Sequence, residues 1–218
     1  TVLGLSSGTA FYANAIYLLP LQNHFQTERT VIAQAFALTH LVAAGVLPLV
    51  GMILDRWGPR RALLFGLTGL TLTHFLLSRV DALWQFYVLV IIQQSVFTRF
   101  NDVMSHQSLL GRWFVRLRGR AMGLVMAGVG VAGLALPAIT GLVIENYGWR
   151  NGYVLAGALV GGLALPAVFF LLCDNPSDVK QHPDGAFHPP SVVYTTASGA
   201  TFAQAMRSRA MWTLAICA

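Results

Sequence analysis

The chain has 218 residues, of which 56% are hydrophobic and 10% charged, with a net charge of +6. An average soluble domain carries roughly 25% charged residues, so this composition excludes a water-soluble globule, and its apolarity excludes a disordered chain. Two cysteines, Cys173 and Cys217, both in apolar stretches, exclude a disulfide framework and a structural zinc centre.

A hydrocarbon core about 30 Å thick needs roughly 20 helical residues. Six apolar runs meet that length, at residues 2–21, 31–50, 61–80, 83–110, 121–144 and 152–173. A seventh starts near Ala210 and stops at Ala218. The pattern predicts an all-α membrane protein with a six-helix transmembrane bundle over residues 1–173. A Pro-, Ser- and His-rich cytoplasmic linker follows at 174–209, then the start of a truncated seventh helix at 210–218. The chain opens on Thr1, not Met, with no signal peptide ahead of the first run, so a missing N-terminal piece is expected.

The basic residues fall in clusters between the runs, which argues for topology and against a nucleic-acid face. The second, fourth and sixth connections hold Arg56, Arg60, Arg61, Arg112, Arg116, Arg118, Arg120, Lys180, Arg207 and Arg209. The first, third and fifth hold only Arg29, Arg79 and Arg150. By the positive-inside rule the richer side is cytoplasmic, and so is the N-terminus. The expected location is a cell (inner) membrane.

A shift of ninety positions aligns Gly51, Asp55, Gly58 and Arg60 with Gly141, Glu145, Gly148 and Arg150. The two copies are separated by three helices, an odd number, so they face opposite sides of the membrane. That predicts two inverted three-helix repeats, a construction used by secondary transporters. Chance is the bland alternative, since Gly and Arg favour loops.

The first copy, Gly51-Met-Ile-Leu-Asp55-Arg56-Trp57-Gly58-Pro59-Arg60-Arg61, reads as a tight cytoplasmic turn. Gly51 is expected to end the second helix and Gly58 to supply a conformation other residues avoid. Asp55 is an acceptor among the donors Arg56, Arg60 and Arg61. A topology anchor plus a turn is the plain alternative. The full residue order resembles the loop between helices two and three of the major facilitator superfamily. Pro59 resembles the oxalate/formate-antiporter and monocarboxylate-transporter branch, as do three further stretches. These are Arg112–Gly123, Tyr147–Arg150 and Asn175–Gly185, with Thr201–Trp212 similar to the approach to helix seven. The resemblance covers essentially the whole chain. It implies that Asp55 latches the cytoplasmic side, with Arg56 and Arg60 supporting it. It also implies that a C-terminal six-helix half completes the protein.

Gly128, Gly133, Pro137 and Gly141 lie on the fifth run, where small residues allow close helix approach in lipid and a proline can kink the rod. Packing alone explains most of them.

Intramembrane polar groups are the candidates for substrate or coupling. Arg99 lies near the middle of the fourth run, and Ser95, Arg99, Asp102 and His106 share one face of a continuous helix. An arginine there usually faces a cavity or a partner. Its guanidinium suits a carboxylate, while the structural alternative is an Arg99–Asp102 pair neutralised within the helix. Asp102 is a candidate proton group. His40 and His74 are candidate proton relays or interhelical hydrogen-bond formers. On the first run, Asn14 and Tyr17 can face together, with Tyr17 otherwise an interfacial anchor; Gln93 and Gln94 read as interhelical glue.

No nucleophile elbow, zinc-protease or phosphate-loop motif occurs, so no enzyme activity and no cofactor are expected. The sequence points to a secondary transporter of small organic anions, mono- or dicarboxylates, coupled to protons or a counter-transported anion. A transporter of another small solute, such as a drug-like compound, and a non-transporting sensor or scaffold are the alternatives.

Overall fold

The computed structural model describes residues 1–179 and 182–185. Expectations for Lys180, Arg207, Arg209, most of the linker and the seventh helix lie outside the described residues. All regular structure among the described residues is helical. In chain order the rods are α1 (Val2–Phe25), α2 (Arg29–Trp57), α3 (Pro59–Leu77), α4a (83–100), α4b (Val103–Trp113), α5 (Arg118–Tyr147) and α6 (Trp149–Leu171).

By length and apolarity α1, α2, α5 and α6 can each cross a membrane. At about 1.5 Å per residue, the 30 residues of α5 exceed the thickness of a hydrocarbon core. α3 is only 19 residues long and carries Arg60 and Arg61 in its first turn. The fourth rod is broken, so neither of these two meets the same standard alone. Leu41, Leu124, Leu134, Phe170 and Leu171 are each at least 74% exposed. Helical backbone satisfies its own hydrogen bonds, and an apolar exterior of this kind is solvated by lipid. The chain is an integral membrane protein.

Two expectations about local structure are corrected. Gly51 does not end the second helix: α2 continues through Asp55 and Arg56 to Trp57. The turn is a single residue, Gly58, at φ 80° and ψ 159°, and Pro59 opens α3, where its missing N–H costs nothing. The α5–α6 connection has the same form, with Gly148 at φ 85° and ψ 164°. The ninety-residue sequence repeat thus has a backbone counterpart.

The fourth rod is not continuous. Asn101 (φ −105°, ψ 14°) and Asp102 (φ −79°, ψ 174°) leave helical geometry between α4a and α4b. Asp102 caps α4b, its Oδ1 accepting from Val103 N at 2.7 Å. Asn and Asp offer the backbone such local alternatives to the helix ladder. Asn101 is also buried against Gly66 of α3, where any Cβ would collide with Phe100 and Asn101.

Three π turns interrupt the rods, at Gly8–Tyr12 in α1, Gln93–Phe97 in α4a and Val160–Ala164 in α6. Each shows the i to i+5 bond, for example Ala13 N to Gly8 O at 3.2 Å. The first two meet: Gln94 Nε2 donates to the Ala10 carbonyl and lies 3.4 Å from Asn14 Oδ1. α3 holds the centre of the bundle, where Leu63, Leu67 and Leu70 pack with Ala10, Val160 and Ala164. α5 runs along the outside and buries only Leu136, Thr140 and Ile144.

Candidate functional site

Arg99 occupies the last turn of α4a and lines a cavity of about 260 Å³. Ser7, Phe11 and Tyr12 of α1 and Met126 of α5 form its other walls, with Asp102 beside the arginine. The Arg99 side chain is 17% exposed, and its Nη1 donates to Asp102 Oδ2 at 3.0 Å. The ion pair crosses the helix break; it does not lie along one helix face. Asp102 divides its two oxygens between the guanidinium and the α4b N-terminus. Arg99 Nε is buried with no hydrogen-bond partner among the described residues. Phe11 and Tyr12 also line a second cavity of about 410 Å³, shared with Asn14, Ala33 and Phe36.

The other expected face residues separate at the break. Ser95 donates to the Thr39 carbonyl of α2 at 2.8 Å. His106 sits on α4b, buried, its Nδ1 3.2 Å from the Asp102 carbonyl. Asn14 and Tyr17, about 60° apart around a helix, diverge. Asn14 meets Gln94, whereas Tyr17 is buried and stacks on Tyr153 of α6 at 4.1 Å between ring centroids. The Tyr17 ring belongs to the packed interior, not to an interfacial belt. His40 is exposed on α2, edge-on to Phe11. His74 is fully buried in α3, with Nδ1 2.7 Å from the Leu70 carbonyl.

At the Gly58 turn, Asp55 and Arg56 are exposed, and Asp55 has no hydrogen bond among the described residues. The turn is held instead by Asp174, 114 residues further along the chain, whose Oδ1 accepts from Arg60 N at 2.8 Å. Arg60 Nη2 donates to the Phe169 carbonyl near the end of α6 at 2.7 Å. Arg61 points outward, exposed. At the other end of α3, Arg150 Nη2 donates to the Val80 carbonyl at 3.0 Å and to Asp81 Oδ1 at 2.5 Å. Sequence reasoning missed Asp174 and Asp81. Each follows the end of a helix, α3 or α6, by three or four residues.

The small residues of α5 differ among themselves. A Cβ on Gly128 would meet Thr1 Oγ1 at 2.6 Å, and one on Gly4 would meet the Gly128 carbonyl at 2.6 Å. These glycines therefore set the α1–α5 crossing. Gly133 lies against the Tyr12 ring at 3.4 Å, Gly141 only grazes Ile16, and Pro137 sits within the uninterrupted α5.

Comparison with known proteins gives one family and several relatives. A sequence profile described as Major Facilitator Superfamily matches residues 1–218. The chain is 30% identical over 143 residues to the oxalate:formate antiporter of Oxalobacter formigenes, covering 63% of this chain and 33% of that protein. It is 29% identical over 133 residues to the fujikurins efflux protein of Gibberella fujikuroi, covering 60% of this chain and 27% of that protein. It is 32% identical over 139 residues to the drug efflux pump JefA of Mycobacterium tuberculosis, covering 62% and 27%. The matched stretch is thus a third or less of each relative's length.

Proposed function

Because the chain belongs to the major facilitator superfamily, we propose that it acts as the N-terminal part of a secondary active transporter of small organic anions. The observation that carries this reading is Arg99. It is a guanidinium on a cavity wall with one buried N–H unpartnered, next to a carboxylate already committed to a second hydrogen bond. An incoming carboxylate can compete with Asp102 for the guanidinium and take two parallel hydrogen bonds from it. Asp102, displaced from Arg99, remains tethered to Val103 and is the group through which a proton or counter-anion would be coupled.

In this reading all six rods span the bilayer as two inverted three-helix repeats, and the N-terminus is cytoplasmic. The ten-to-three distribution of basic residues between alternate connections supports the orientation. The common geometry of Gly58 and Gly148 supports the repeat. The Gly51–Arg61 segment is the conformational latch, with Asp55 free to engage a second six-helix half. Alternating access follows from rocking the two halves about the Arg99 cavity.

A second reading, transport of a neutral or drug-like solute, draws on the Arg99–Asp102 pair, which leaves the cavity with no net charge, and on its Phe11, Tyr12 and Met126 walls. Uptake of labelled oxalate, formate and lactate by the complete protein separates the two. Arg99→Ala is expected to abolish anion uptake, and Arg99→Lys to weaken it at least tenfold by losing the fork geometry. Equal uptake by wild type and both variants overturns the anion reading.

A further inference from the structure

Beyond α6 the chain leaves its helix but keeps returning to the bundle. The Cys173 carbonyl accepts from Trp113 Nε1 at 3.0 Å, and Asp174 accepts from Arg60 N at 2.8 Å. Asn175 Oδ1 lies 3.4 Å from Arg112 Nη1. Ten residues after Asp174, the Asp184 carboxylate accepts from three successive backbone amides: Val115 at 3.1 Å, Arg116 at 2.8 Å and Leu117 at 3.2 Å. Both of its oxygens are engaged. These amides lie in the turn between α4b and α5, ahead of the first turn of α5, where backbone donors lack intrahelical partners. Consecutive N–H groups of this kind form a concave anion receptor. Asp184 reaches it with a left-handed backbone, φ 60° and ψ 13°. That conformation is uncommon outside glycine and persists only where contacts outweigh its local cost.

We infer that Asp174 and Asp184 are two separate carboxylate fastenings of a strap after α6, which binds the Gly58 end of both three-helix units into one block. Asp174 fastens the end of α6 to the start of α3. Asp184 fastens the departing chain to the α4b–α5 turn, whose three amides have no other acceptor among the described residues. The two carboxylates hold different backbone amides, Arg60 for one and Val115, Arg116 and Leu117 for the other. Release of Asp184 alone frees the amides of Val115, Arg116 and Leu117, while Trp113 and Arg112 still hold the end of α4b to Cys173 and Asn175, and α3 and α6 stay tied. The strap is a conformational device in the fold itself, and it stands whether or not the solute is an anion.

Amide hydrogen exchange on the full chain in lipid nanodiscs tests it. Asp184→Ala is expected to speed exchange at Val115, Arg116 and Leu117 by about tenfold, the scale of one lost charge-assisted hydrogen bond. Asp184→Asn, which keeps an acceptor but not the charge, falls between Ala and wild type. In both, the Arg60 amide keeps its protection. Asp174→Ala gives the converse: faster exchange at Arg60 and none of the change at 115–117. Three results overturn the strap: unchanged exchange at 115–117 in Asp184→Ala, loss at both junctions from either single variant, or loss of protection across α2 and α3 in Asp184→Ala. The last would mean that the carboxylate holds the whole fold and not one junction.

Discussion

Arg60 and Arg150, ninety residues apart, do the same thing at opposite ends of α3. Each sits two residues after a positive-φ glycine, and each donates to a backbone carbonyl near a helix end, in the last turn of α6 for Arg60 and just past α3 for Arg150. Arg60 takes Phe169 O, and Arg150 takes Val80 O. Each end also has an acid from the same place, Asp174 at one and Asp81 at the other. Phe169 lies in the last turn of α6, where carbonyls lack intrahelical partners and carry partial negative charge, and Val80 lies three residues past α3, outside its hydrogen-bond ladder, so a guanidinium can cap both.

Arg60→Ala and Arg150→Ala are each expected to lower stability by about 0.5–1.5 kcal/mol, the net worth of an ordinary hydrogen bond. The sites lie at opposite ends of a 19-residue helix. The double variant should therefore show the sum within about 0.5 kcal/mol. Denaturation midpoints of the purified protein in detergent, compared across the three variants, measure this. A double variant no worse than either single one would break the equivalence.

Gly58→Ala and Gly148→Ala should each destabilise by about 1–3 kcal/mol, because their φ/ψ region is essentially reserved for glycine. The Gly58 variant is the worse of the two. An added Cβ there meets the Asp174 carboxylate at 3.4 Å, whereas Gly148 has open space around it. Thermal unfolding of the pair checks both the sign and the order.

The α1–α5 crossing separates glycines that pack from glycines that do not. Gly4→Val drives side chain into the Gly128 carbonyl and is expected to cost about 1–3 kcal/mol through overpacking. Gly130, exposed within α5 with nothing within 4 Å of an added Cβ, should gain about 0.5–1 kcal/mol on change to Ala from helix propensity. Opposite shifts in melting temperature are the expected result.

The Asp184 carboxyl titrates below its ordinary value of 3.8, chiefly because the Arg116 N–H donates to its charged form, with Leu117 and Val115 adding to the effect. A depressed folded value means that its contribution is present above the unfolded pKa and is lost as pH falls through the folded one. Protection of the 115–117 amides is therefore expected to hold at pH 5 and to collapse only below pH 3.8. Carboxyl carbon NMR of selectively labelled Asp184 gives the midpoint directly. A midpoint at or above 3.8 would contradict the geometry.

Membrane class and the positions of the rods were legible because apolar runs of span length have few other readings. Gly58 was legible because a glycine between two helices has a conformational reason to be there. The break at Asn101–Asp102 was not, since hydropathy averages across two residues that α3 and a local cap pull out of the helix. The pairing of Asn14 with Tyr17 failed for a related reason. Both follow the π turn of α1, and neighbours on α4a and α6 draw the two side chains to different sides. Asp55 looked held because its basic neighbours are close in sequence; in three dimensions α2 carries it outward, and Asp174 takes the position. Contacts spanning more than a hundred residues leave no periodicity to read.

The two-piece fourth rod is not self-sufficient. α4b, at 11 residues, is too short to cross a bilayer, and the junction beside it carries the polar residues Arg99, Asn101 and Asp102. In isolation the segment has no partner for Gln94 or Ser95, whose acceptors are Ala10 of α1 and Thr39 of α2. α1 and α2 thus supply acceptors that the fourth segment cannot supply for itself. Removing α1 and α2 is therefore expected to leave the fourth segment without a stable seat in the bilayer.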